Sequence, residues 1–85
     1  MVVLVLGAAG MLGHRVMQDL APRFDLVGAV RTAASDYAGH PVMGRMRLLG
    51  DVRADDLGSI NDALARTRPA AVVNCVGVIK QLPAA

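Results

Sequence analysis

The chain has 85 residues with nine basic and seven acidic side chains, a formal charge of +2 spread along its length. It carries no basic run and almost no aromatic interleaving, which argues against nucleic-acid binding. Hydrophobic residues make up 54% of the composition while Phe24 and Tyr37 are the aromatic ones. So short and apolar a chain reads as the buried centre of a larger parallel sheet, and the expectation is an N-terminal portion of a bigger protein.

The apolar run at residues 2–6 has no polar member, as expected of a central strand covered on both faces. It lacks the positive flank of a signal peptide, and the chain has no run of roughly 18 apolar residues that would span a membrane. These features predict a cytoplasmic protein with no membrane partner. Directly after the run stands Gly7-Ala8-Ala9-Gly10-Met11-Leu12-Gly13. A strand that enters a glycine-gated turn and leaves as a helix binds the pyrophosphate of a dinucleotide. In that arrangement Gly7 permits the tight turn, Gly10 lets backbone N–H groups approach the phosphates, and Gly13 lets the helix lie close. The anion meets unpaired amides and the positive end of the helix dipole. The spacing is GxxGxxG, so the flanking strand and helix carry the inference; a ligand-free βα turn is the alternative.

Beyond the turn, Leu12, Val16 and Leu20 recur every four residues beside Met17, an amphipathic helix that ends at Pro22. His14 sits on its polar side. Residues 25–30 form a second strand with Arg31 at its carboxyl end. Residues 33–45 contain Gly39, Pro41 and Gly44 and show no sustained period, so an irregular segment with at most a helical turn is expected. Residues 46–50 read as a third strand ending at Asp51. Asp55 and Asp56 open a second helix with the apolar stripe Leu57, Ile60 and Leu64, closed by Arg66 and Arg68 before Pro69. Residues 71–76 form a fourth strand and 77–81 a loop. This order predicts an α/β fold, the N-terminal half of a Rossmann doubly wound parallel sheet with strand order 3-2-1-4. Residues 1–85 would then be a partial dinucleotide-binding domain. The apolar open edge of the fourth strand predicts association of the isolated chain, a homo-oligomer included, unless further sequence covers it.

Cys75, alone in an apolar segment, reads as a small buried hydrophobe. No His, Cys or carboxylate stands at a metal-ligand spacing, so no metal site is expected. Arg31 occupies the place where an acidic residue would favour NAD and a cation would meet the 2′-phosphate of NADP, which favours NADPH; a solvated arginine is the alternative.

Leu4-Val5-Leu6-Gly7-Ala8-Ala9-Gly10-Met11-Leu12-Gly13-His14 and Val73-Asn74-Cys75-Val76-Gly77-Val78-Ile79-Lys80-Gln81 resemble the extended short-chain dehydrogenase/reductase superfamily. The resemblance covers the whole chain, and its nearest branch is that of the dTDP-4-dehydrorhamnose reductases, which act on sugar nucleotides. It implies that Gly7, Gly10 and Gly13 surround the pyrophosphate, with backbone from Met11 and Leu12. It also implies that Asp51 and Val52 touch adenine and that Asn74, Val76 and Gly77 run beside the ribose and nicotinamide. Asp51 has a turn or capping role as its alternative, and Asn74 a structural one. Lys80 and Gln81 would face either the sugar nucleotide or solvent.

In that family a tyrosine donates the proton, with a lysine four residues later. Here Tyr37 is followed four residues on by Pro41 and precedes the third strand, so it is not that residue, and no catalytic residue is assigned. The expected whole is an NADP-dependent oxidoreductase that reduces a keto group of a nucleotide-activated sugar, of which this stretch supplies the cofactor cradle without turnover. An epimerase or dehydratase of the same superfamily, or a non-catalytic dinucleotide sensor, shares these features.

Overall fold

A computed structural model describes residues 2–41 and 43–76. Four strands, β1 (Val2–Leu6), β2 (Asp25–Ala29), β3 (Leu48–Leu49) and β4 (Ala71–Asn74), form one parallel sheet in the order β3-β2-β1-β4. Two helices, α1 (Met11–Leu20) and α2 (Leu57–Thr67), connect it. The α/β class and the strand order are those expected from the sequence.

β1 is the central element because it has no polar side chain to solvate and pairs on both sides, Leu4 facing Val27 in one register and Val72 in the other. Its side chains alternate between two cores. Val3 and Val5 pack with Met17 of α1, Leu26, Val30 and Met43. Leu4 packs with Val27, Ala29, Val52 and Ala63 of α2, flanked by Ile60 and Leu64. The helices therefore cover opposite faces of the sheet.

Both helices start above the carboxyl ends of the strands, which corrects the expected apolar stripes. Leu12 is 62% and Leu57 70% exposed. Each stands in a first helical turn that overhangs the sheet, so the stripe that touches the strands begins one turn later, at Val16 and Met17 in α1 and at Ile60 in α2. The helix expected to reach Pro22 has its last residue at Leu20, with Ala21 as the cap, its N–H donating to the Met17 carbonyl.

Three strands are shorter than expected, β2 by one residue since it ends at Ala29 and not at Val30. β3 keeps only Leu48 and Leu49 of residues 46–50, since as an outer strand it bonds β2 alone, through Gly28 N–H to the Arg47 carbonyl and Val30 N–H to that of Leu49. β4 stops at Asn74 instead of running to residue 76: the Asn74 side-chain oxygen accepts the Val76 N–H at 3.0 Å, turning the chain out of the ladder. β4 has one strand neighbour among the described residues, and Val72 is 44% exposed. Residues 33–45 hold two short 3-10 helices, Ala34–Tyr37 and Met43–Arg45, and buried Met43 ties them to the α1-side core.

The two aspartates ahead of α2 divide their work. Asp56 is the cap: its side chain accepts from the Ser59 N–H at 3.2 Å. Asp55 instead pairs with Arg53, Oδ1 to Nε and Oδ2 to Nη2, both at 3.3 Å. Asp56→Ala should therefore lower unfolding free energy by about 1 kcal/mol, whereas Asp55→Ala, which removes only an exposed ion pair, should leave it nearly unchanged. Parallel urea melts of the two variants check this; equal losses would contradict the assignment of the cap.

Candidate functional site

The turn after β1 is built by contacts that leave no room for side chains. Gly7 has φ +75°, a left-handed conformation that favours glycine, and a Cβ there would lie 2.9 Å from the Cys75 carbonyl oxygen. The end of β1 thus rests directly on the backbone that leaves β4. Gly13, on the first turn of α1, is tighter still: a Cβ would run into the Gly7 carbonyl oxygen and stand 2.8 Å from the Ala8 Cα. Its expected role of close packing is the observed one, although the surface it meets is the turn itself.

Gly10 differs from both. It adopts φ −73° and ψ 171°, which any residue tolerates, and a Cβ there would have only the Gly7 carbonyl oxygen within 4 Å, at 3.5 Å. Neither steric room nor backbone dihedrals demand glycine at this position, where glycine also serves as an acceptable N-cap. Gly10 is the N-cap of α1 and offers no side-chain cap, so the first amides of the helix, at Met11 and Leu12, keep their donors toward the outside. The first turn carries no acidic side chain that would compete for them.

This turn opens onto a cavity of about 550 Å³ at the carboxyl ends of the strands. Its walls come from every strand end: Gly7 and Gly10 after β1, Val30 and Arg31 after β2, Val52 and Asp55 after β3, Cys75 and Val76 after β4. In a parallel sheet this is where ligands bind, since loops on either side of the point at which the strand order reverses part and leave a crevice. In the present sheet that reversal lies between β1 and β4.

Of the residues singled out from sequence, Gly7, Gly10, Arg31, Val52 and Val76 line this cavity. Met11 lines a shallower recess of about 400 Å³ on the outer side of α1 with His14, Arg15 and Gln18. Met11 is 94% exposed, so the first turn of α1 presents backbone and an unpacked thioether to solvent. Leu12 and Gly13 line neither space. Asp51 stands just outside the wall in a left-handed turn, φ 61°, its N–H donating to the Thr32 carbonyl at 2.9 Å. It follows β3 by two residues and precedes Val52, which is buried in the α2-side core. The Asn74 side chain makes a local bond, accepting the Val76 N–H, and does not tie neighbouring strand ends together among the described residues. Gly77, Lys80 and Gln81 lie outside the described residues.

Sequence reasoning missed Tyr37, Ala54 and Asp55 as cavity residues. Tyr37 reaches the wall from the first 3-10 helix, half-buried against the α1-side core. No periodicity announces such a position, but a lone tyrosine in an otherwise irregular segment after a strand was a usable signal. Asp55 and Arg31 bring opposite charges into one space.

Two groups of the cavity titrate away from their ordinary values. The Arg53 guanidinium, hydrogen-bonded to Asp55, holds that carboxyl below its usual 3.8, and the Arg31 charge acts in the same direction. Burial raises the Cys75 thiol, keeping it neutral and a poor nucleophile at neutral pH. Among the described residues no group of three or more His, Cys, Asp or Glu could hold a metal ion, and no helix is long and apolar enough to cross a membrane.

No family model, curated protein or solved structure matches the chain. The site is therefore read from its own geometry.

Because the Asp55 pKa is depressed in the folded protein, its ion pair adds stability above the unfolded value near 3.8 and loses it as pH falls through the folded one. Carbon-detected NMR titration of the Asp55 carboxyl should give a midpoint below 3.8. In Arg53→Gln the midpoint should move upward, and an unchanged one would remove Arg53 as the cause.

Proposed function

We propose that this chain is the dinucleotide-binding portion of an NAD(P)-dependent oxidoreductase of Rossmann type, with NADPH preferred. The observation that carries the reading is the contrast among the three glycines. Gly7 and Gly13 are required by the turn, whereas Gly10 is sterically unforced and sits at an uncapped helix N-terminus on the cavity wall. A residue kept small where the fold has space for more is explained by a ligand that needs the space. An anionic bridge with several oxygens fits, because it accepts from consecutive helix amides and gains from the dipole.

The cavity has the size of a small-molecule site, and its walls divide the ligand. The Gly7–Gly10 side faces the diphosphate. Val52 and Val30, together with the Tyr37 ring, offer apolar surface for the adenine. Arg31, exposed and on the wall, is placed for the 2′-phosphate. Cys75 and Val76, after β4, border the far side of the crevice, where the nicotinamide would lie. The bound dinucleotide supplies hydride transfer at that end. The chain's own residues orient it and, through the buried Cys75 wall, keep a neutral apolar lining there.

The substrate that fits the resemblance is a keto group of a nucleotide-activated sugar. The proton it needs has no donor in the described cavity: Tyr37 is its one hydroxyl-bearing side chain, and Pro41 occupies the position where an activating lysine would stand. The described residues thus bind and orient, and the chain by itself is proposed to have no turnover.

Gly10→Val separates ligand from fold. Its stability should fall by no more than about 1 kcal/mol, the cost of a poorer N-cap, because a Cβ there makes only an ordinary contact with the Gly7 carbonyl oxygen. NADPH affinity should fall at least tenfold in isothermal titration, since the side chain covers the helix amides. Wild-type affinity in a folded Gly10→Val variant would refute the site.

A further inference from the structure

Arg31 and Asp55 both line the cavity, after the neighbouring strands β2 and β3 respectively. They are the basic and the acidic side chain among its described lining residues. Arg31 is exposed and makes no hydrogen bond or salt bridge to another described residue, so its donors are free for a ligand. Asp55 is differently placed. Both of its oxygens are held by Arg53, whose side chain is half exposed and is not part of the wall. The carboxylate thus pairs with Arg53 and not with Arg31. Asp55 still feels the Arg31 charge, which lowers its pKa further.

On the dinucleotide reading given above, we propose that Asp55 sets the choice between the 2′-phosphorylated and the unphosphorylated dinucleotide by opposing a phosphate at Arg31. A 2′-phosphate bound to Arg31 would share the cavity end with this carboxylate and meet like-charge repulsion. A free 2′-hydroxyl would not, and it could donate to the same oxygens. The Arg31 preference for phosphate is thus held down by a negative charge at the end of the neighbouring strand. The wall carries this opposition without cost to the fold, since the adjacent Asp56 and not Asp55 caps α2.

Asp55→Asn tests this in the full chain. It removes the charge, keeps the shape and leaves the cap untouched. The ratio of dissociation constants for NADPH and NADH, measured by titration calorimetry at low salt, should shift toward NADPH by about two- to fivefold, the size expected of partly exposed charges. The shift should shrink at roughly 0.5 M salt, where the screening length is only a few ångströms. In an Arg31→Gln background the same substitution should move the ratio less. An unchanged ratio in Asp55→Asn, or a shift equally large without Arg31, overturns the inference while nucleotide binding stands. Failure of the wild-type chain to bind either nucleotide removes the dinucleotide reading and this inference with it.

Discussion

The structure depends on one close approach: the first turn of α1 lies against the Gly7–Ala8 backbone with no Cβ between them. That contact exists only because position 13 is glycine and position 7 can take a left-handed φ. It fixes where the helix starts relative to the end of β1, and so where its unpaired amides point. The hydrogen bond from Ala8 N–H to the Ala29 carbonyl and that from Cys75 N–H to the Leu6 carbonyl, at 3.1 and 2.9 Å, lock the turn between its two neighbouring strands. A binding site assembled from backbone in this way needs no side-chain chemistry of its own. It needs rigidity, which the two cores on either face of β1 supply.

Much of this was legible in the sequence because the determinants are local or periodic. The unbroken apolar run of β1 could only be an interior strand, and GxxGxxG following it placed turn and helix together. Strand order followed from the succession of strands and helices, which is that of the first half of a doubly wound sheet. What could not be read was the overhang of the helices. Leu12 and Leu57 fit the apolar period as well as Val16 and Ile60 do, yet the sheet ends before it can cover them. Periodicity reports which side of a helix is apolar and is silent on where the facing surface stops. The strand ends were likewise hidden, because they depend on a side chain competing with the ladder, as Asn74 does, or on an outer strand having one neighbour, as in β3.

The cavity was half legible. Residues at strand ends, Arg31, Val52 and Val76 among them, follow from topology once the strands are placed. Tyr37 and Asp55 do not, since each reaches the cavity from a segment whose path is set by tertiary packing, the buried Met43 anchor in one case and the Arg53 pairing in the other. Asp55 also shows how adjacent residues of one type part company: a shift of one position separates a helix cap from a charge on a binding wall.

The most direct test of the account is an amide chemical-shift map of the isotope-labelled chain during titration with NADPH. The account predicts the largest, saturable perturbations at the amides of Met11 and Leu12, where the helix donors meet the diphosphate. Saturable binding whose perturbations leave these amides unmoved, or no binding by a folded chain, would contradict it.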